Sequence, residues 1–160
     1  MKIDIFEADL SNPEHAEALV FLLGQYAQDP MGGNEPLSEY SQKNLVSEIN
    51  KRDAVRVILA FVDDTPAGLI NVIEGFSTFA CKSLLNIHDV MVDEPFRGQG
   101  LSRKMFAKVE QLAHELDCCK LTLEVLENNT IAKTAYVNFG FQGYQLVSEY
   151  GQAVFMEKKL

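Results

Sequence analysis

Residues 86–104, NIHDVMVDEPFRGQGLSRK, decide the fold. They read as a strand, a tight turn and the start of a helix. Asn86, His88, Val90 and Val92 fall on one side of a segment of period two, and Ile87, Asp89 and Met91 on the other. Pro95 closes the strand, and an apolar helical pattern opens at Leu101. Between them stands Arg97-Gly98-Gln99-Gly100. Glycine lets a backbone approach a ligand closely, and the first N–H groups of a helix have no intrahelical partner. Glycines beside an arginine just ahead of a helix therefore make an anion cradle suited to phosphate. A Rossmann or P-loop reading fails, because residues 101–103 supply neither a third glycine nor a Gly-Lys-Ser/Thr ending.

Working outward, residues 55–62 form a β-branched run, residues 63–68 (DDTPAG) a turn cluster and residues 69–76 a second extended pattern, together a hairpin. A short link with Phe79, Cys81 and Lys82 leads into the central strand. Further back, residues 2–8 read as the first strand. A helix then starts at Asn12-Pro13 with Glu14 in its first turn, carries the stripe Ala16, Leu19, Val20, Leu23 and Tyr26, and ends at Asp29-Pro30. The Gly- and Pro-rich loop DPMGGNEPL precedes a second helix over residues 38–51, with Leu45, Val46 and Ile49 on one side. Downstream, Leu101, Met105, Val109, Leu112 and Leu116 recur at helical spacing, residues 120–126 read as a strand, and residues 129–139 as a helix ended by Gly140. Residues 141–146 and 153–158 close the chain as another hairpin.

The expected fold is α/β (α+β): one mixed, mostly antiparallel sheet of about seven strands with helices on both faces, ordered β-α-α-β-β-β-α-β-α-β-β. A length of 160 residues suits a single domain, 1–160. The formal charge of -9 argues against a nucleic-acid partner and favours cationic substrates. No stretch approaches the apolar length needed to span a bilayer, and the N-terminal MKIDIFEADL carries acids too early for a secretory signal, so a cytoplasmic protein is expected. The three cysteines and three histidines show no ligand spacing, and no metal site is expected. The strand edges of the C-terminal hairpin offer a surface for a homodimer.

Arg97-Gly98-Gln99-Gly100 with Ser102 resembles the RxxGxG/A signature of the GNAT superfamily of N-acetyltransferases, Ser102 replacing the usual last Gly or Ala. Asn129, Ala132, Tyr136, Gly140 and Phe141 in NNTIAKTAYVNFGF are similar to the superfamily's NxxAxxxYxxxGF segment, and the order of elements agrees as well. The resemblance implies a sheet splayed between its fourth and fifth strands. It implies acetyl-CoA as cofactor, with its pyrophosphate on Arg97, Gly98, Gln99, Gly100, Leu101, Ser102 and Arg103, and its pantetheine arm along Val90, Met91 and Val92 like an added strand. Asn129, Ala132 and Tyr136 would face the same arm, since Asn129 and Tyr136 are seven residues apart on one helix.

Acetyl transfer needs a neutral amine, a polarised carbonyl and a proton for the departing thiolate. Tyr136 stands at the superfamily's general-acid position, and a phenol is protonated at neutral pH. Nine residues before the signature arginine, where many relatives have Glu, this chain has His88, followed by Asp89. A neutral imidazole can take the amine's proton, so His88 is the leading base and Asp89 the second choice. The structural alternative for His88 is a strand histidine bonded to a sheet carbonyl. The acceptor pocket is expected from DPMGGNEPL with the helix that follows and from the strand-loop EGFSTFACK, with Phe76 and Phe79 walling an apolar slot and Glu35, Glu39 or Glu74 attracting an ammonium. The expected activity is N-acetylation of a small-molecule primary amine. A peptide or protein acceptor and a non-catalytic coenzyme A binding module are the alternatives.

Overall fold

The computed structural model describes residues 1–143 and 147–160. It divides into two compact units, residues 1–126 and residues 127–160.

The first unit is built on one sheet. Asp63 and Asp64 both take positive φ, 46° and 62°, the backbone of a two-residue hairpin turn whose twist matches its strands. The turn therefore ends four residues earlier than the composition of residues 63–68 predicts. Strand β2 (Val55–Val62) pairs antiparallel with β3 (Thr65–Ser77) directly beyond it. Strand β3 pairs antiparallel with β4 (Lys82–Val92), and β1 (Ile3–Glu7) antiparallel with β2. Strand β5 (Leu121–Leu123) runs parallel to β4, giving a five-stranded mixed sheet in the order β1-β2-β3-β4-β5.

Helices cover both faces of this sheet. On one, α1 (Pro13–Gln28) buries Ala18, Leu19 and Leu22 against Val57, Leu59, Phe61, Leu69 and Met91, and α2 (Glu39–Asn50) adds Leu45, Val46 and Ile49. The α1 stripe is rotated from the predicted one, with Leu22 rather than Leu23 at its centre. On the other face lies α3 (Leu101–Glu115), whose Leu101, Met105, Phe106, Val109, Leu112 and Ala113 are buried. Gly68 marks how closely α3 approaches: a Cβ there would lie 2.9 Å from the Met105 side chain. Leu116, expected in the stripe, is instead the C-cap.

The second unit contains α4 (Thr130–Phe139), which begins after Asn129 and ends on Gly140 at φ 117°. The expectation of about seven strands is corrected here. Residues 153–158 carry no strand, residues 141–143 are irregular, and residues 144–146 lie outside the described residues. The chain runs through a 3-10 turn at Ser148–Tyr150, and among the described residues those at 153–158 have no ladder partner; alternation alone does not make a strand. The hairpin edges invoked for a homodimer are accordingly not formed by residues 147–160. Among the described residues, no helix is long and apolar enough to cross a membrane.

Candidate functional site

Past Val92 the chain leaves the sheet through Asp93, whose carboxylate accepts the Glu94 N–H (3.0 Å) and opens the 3-10 turn Glu94–Phe96 around Pro95. Gly98 and Gly100 then take φ 76° and 74°. A side chain in that left-handed conformation costs about 1–2 kcal/mol, so glycine suits both places. Gly100 is also the N-cap of α3. It offers no side-chain acceptor, and the first turn of α3 carries no acid. The other α-helices are capped by Asn12, Ser38 and Asn129. Among the described residues, the opening N–H groups of α3 and the positive end of its dipole thus meet no side-chain acceptor, an environment that fits a phosphate.

The residues assigned to this cradle divide by what they can offer. The Leu101 side chain is core, packed with Val62 and Ala67, and only its backbone can serve a ligand. Ser102 is half-buried, whereas Gly98, Gln99 and Arg103 are exposed. Gln99 Nε2 donates to the Pro95 carbonyl at 3.3 Å. Arg97 turns away: its Nε donates to the Val92 carbonyl (3.0 Å) and its guanidinium bridges Asp29 at the end of α1 (3.2 Å). An exposed pair of this kind contributes about 0.2–1 kcal/mol. Its effect is to tie the exit of β4 to the end of α1.

Strand β4 is not a regular strand. Asn71 faces Asp89 and Val72 faces Ile87, which leaves His88 as the additional residue of a β-bulge. The bulge exchanges faces. Leu69 and its partner Met91 belong to the α1 side of the core, and alternation along β3 puts Asn71, with Asp89 opposite, on that same side. Val72, with Ile87 opposite, then falls on the other. The predicted set Ile87, Asp89 and Met91 on one face is therefore corrected to Asp89 and Met91 alone. His88 is exposed, Asp89, Val90 and Val92 are half-buried, and Met91 is buried.

The β5 ladder ends early as well. It pairs only Leu85, Asn86 and Ile87 of β4 with Leu121, Thr122 and Leu123. Val90, Met91 and Val92 have β3 on one side and, among the described residues, no strand on the other.

On the α1 face Asn71 is 5% exposed, and its Nδ2 donates to Asp89 Oδ2 at 2.9 Å. Its Oδ1 is buried without a partner. Tyr26, half-buried at the end of α1, has its phenol pKa raised first by burial and then by the charges of Asp89 and Asp29. A cavity of about 210 Å³ lies between the end of α1 and the exit of β4, bounded in part by Tyr26, Asp29, Met91, Asp93, Glu94 and Arg97 and not by Asn71 or Asp89. Asn71, Tyr26 and Asp29 were not among the site residues expected from sequence. The available signal was an amide inside the β-branched run Leu69-Ile70-Asn71-Val72-Ile73, a polar group that burial obliges to find a partner.

The predicted acceptor pocket does not assemble. Glu74 accepts the Ser83 hydroxyl (2.8 Å), and Phe76 and Phe79 are 61% and 97% exposed, so neither ring walls a slot. All three belong to the β3–β4 hairpin end where Ser77 pairs with Lys82, ten residues of strand from Val92. Hydrophobic side chains at a hairpin tip have no second layer to pack on. Glu35 is exposed in the loop, and Glu39 opens α2 within 3.8 Å of Lys43. In the second unit Asn129 Oδ1 accepts the Ala132 N–H at 3.2 Å, with Asn129 at φ -80° and ψ 72°. Asn129 is thus a cap outside the helix, and the argument that a seven-residue spacing puts it on one helical face with Tyr136 is corrected. Tyr136 is half-buried and stacks edge-on to Phe141 (6.1 Å between centroids). Among the described residues, no group of three His, Cys, Asp or Glu side chains could hold a metal ion.

This geometry can be set beside known proteins. A thialysine N-epsilon-acetyltransferase of Caenorhabditis elegans is 27% identical over 131 residues, 82% of this chain and 79% of that protein. A spermine/spermidine N(1)-acetyltransferase of Bacillus subtilis is 40% identical over 52 residues, 32% of this chain and 34% of that one. Among solved structures, AAC(6')-Iy in complex with the bisubstrate analog CoA-S-monomethyl-acetylneamine superposes with a TM-score of 0.77 over 100% of both chains at 18% identity, a likeness of fold. The acetyltransferase (GNAT) family matches residues 21–141, which take in the second half of α1, the bulged β4, the glycine turn and α4, and the chain belongs to that family as an acetyl-CoA-dependent N-acetyltransferase.

Proposed function

We propose that the chain moves the acetyl group of acetyl-CoA to a primary amine of a small molecule, by direct attack of the amine within a ternary complex. The observation that carries this reading is the uncapped, acid-free start of α3 placed one turn after a strand end that, among the described residues, has β3 on one side and no strand on the other. The names of the amine acetyltransferases it resembles support the acceptor class.

When bound, acetyl-CoA supplies an acetyl thioester whose carbonyl is open to attack and whose thiolate can leave. The chain does the rest. Backbone N–H groups of residues 98–103 would hold the pyrophosphate, with Gly98 and Gly100 leaving open space where side chains would otherwise stand. The free edge of Val90, Met91 and Val92 would pair with the pantetheine amides and polarise the acetyl carbonyl. His88, exposed at the bulge, is assigned the amine's proton, accepted directly or through water. Tyr136 is assigned the proton delivered to the sulfur, on its place in the NxxAxxxYxxxGF segment.

The test is a screen of thioester cleavage against small primary amines and peptides with free N-termini. Cleavage stimulated by small amines and not by peptides is expected. Stimulation by peptides alone would replace this reading with a peptide acetyltransferase, and coenzyme A binding without cleavage under any acceptor would replace it with a binding module.

A further inference from the structure

We propose that Asp29 is a positioning residue for the cofactor site: through Arg97 it fixes the peptide at the exit of β4, so that the loop after α1 and the strand edge assigned to acetyl-CoA move as one body. The inference is independent of which amine accepts the acetyl group and rests on the cradle and strand edge assigned to the cofactor.

The peptide that joins Val92 to Asp93 is held from both sides. Its N–H, on Asp93, donates to the Ala67 carbonyl of β3 at 2.9 Å. A trans peptide directs its C=O opposite to its N–H, so the Val92 carbonyl points away from β3. It points to the edge where, among the described residues, no strand stands. There the Arg97 Nε donates to it at 3.0 Å.

Arg97 is held in turn. Its Nη2 meets Asp29 Oδ2 at 3.2 Å, and the other oxygen of that carboxylate, Oδ1, accepts the Met31 N–H at 2.9 Å. The Asp29 carbonyl accepts from Gly32 (2.8 Å) and Asn34 (3.1 Å). One residue thus shapes the loop with its backbone and one carboxylate oxygen, and reaches the exit of β4 with the other. A guanidinium can serve Val92 and Asp29 together because its donors lie in one rigid plane.

Stability is not what this chain of bonds supplies. The Asp29 and Arg97 side chains are 28% and 54% exposed, and a pair so open to water adds little to folding. Direction is what it fixes. The plane of the Val92 peptide sets how the chain leaves β4 for the glycine turn, and hence where the opening N–H groups of α3 stand relative to the free edge. A binding constellation has to be held to within about 0.5 Å. Any coupling between loop and cofactor is reciprocal, the same factor acting in both directions.

The phosphates of coenzyme A are anionic, which gives the proposal a sign. An acid that acted only as a nearby charge would, on removal, strengthen coenzyme A binding. Removal of a positioning acid weakens it. In the same way, an Arg97 that bonded phosphate could be replaced by Lys, which binds phosphate as a point charge. An Arg97 that braces cannot, because Lys lacks the planar fork.

The experiment titrates coenzyme A by calorimetry into the full chain and into Asp29→Asn, Arg97→Lys and the double variant, and follows the Met31 amide by NMR. Each single variant is expected to weaken binding about fivefold or more, the size of an ordinary coupling between sites. The double variant should bind no more weakly than the weaker single one. Saturation with coenzyme A should shift the Met31 amide in the wild type and leave it in place in Arg97→Lys. That variant keeps the charge and carries the test where Asp29→Asn does not fold. Equal or tighter binding in Asp29→Asn, wild-type affinity in Arg97→Lys, losses that add in the double variant, or a wild-type Met31 amide that ignores coenzyme A would each overturn the brace. A wild-type chain that binds no coenzyme A would instead overturn the cradle, and the brace with it.

Discussion

Tyr136 can be tested at the scale of one oxygen atom. Replacing it with Phe removes the hydroxyl assigned to the leaving thiolate and keeps the ring that packs edge-on to Phe141. General acid–base assistance contributes about 10²–10⁴-fold. A loss of kcat in that range is expected, with little change in coenzyme A binding measured by calorimetry. Unchanged turnover would remove the phenol from the mechanism. His88 and Asp89 show what a residue-level reading from sequence could reach. Their place before the signature arginine was legible, because it is a matter of counting. Their surroundings were not, since the bulge that makes His88 the additional residue depends on β3 and lies in no local pattern.

Two glycines of the α1 region behave oppositely at the scale of the element. Gly32 follows the end of α1 in the turn where the Met31 N–H meets the Asp29 carboxylate (2.9 Å), and a Cβ on it would collide with the Tyr26 carbonyl oxygen. Backbone cannot step aside as a side chain can. Gly32→Ala is expected to cost about 1–3 kcal/mol in chemical denaturation. Gly24 lies inside α1 with nothing within 4 Å of its missing Cβ. Gly24→Ala should therefore stabilise by about 0.4–1 kcal/mol. Helices were the legible elements for a related reason. Asn12 and Ser38 cap as their residue types predict, with Asn12-Pro13 an explicit start signal. Strand ends were less legible. Strand β5 stops at Leu123 although β-forming residues continue to Leu126, and residues 153–158 alternate without pairing, because a strand exists only where a partner offers its ladder.

At the scale of the whole molecule, charge and burial act together on the alkaline side. The chain carries -9 at pH 7, and each further ionisation adds to its self-repulsion. Tyr26 retains its proton in the fold above the pH at which an unfolded tyrosine, with a pKa of about 10, loses it. Between those two values the folded state binds more protons, so stability falls as pH rises from about 10 through the raised value, and is unaffected by Tyr26 below it. In Tyr26→Phe this contribution is absent. The denaturant midpoint of the variant should decline less steeply above about pH 10 than that of wild type. Parallel declines would mean that Tyr26 ionises in the fold as freely as in the unfolded chain. The mixed sheet with helices on both faces was legible at this scale, because it follows from the order of elements. The count of strands was not.

The bulge at His88 also changes what a length difference in this family means. With the additional residue present, β4 hands Ile87 to one side of the sheet and Asp89 to the other, so position 88 works as a phase shifter in a two-beat pattern. Loss of its codon would remove the bulge and nothing else from the pattern: Ile87 and Asp89 would become neighbours, keep Val72 and Asn71 as partners and stay on the faces they hold now. A gap placed at this column when relatives are compared therefore reports the loss of the residue at 88, while an inserted or deleted residue elsewhere in β4 would move the acid to the other layer.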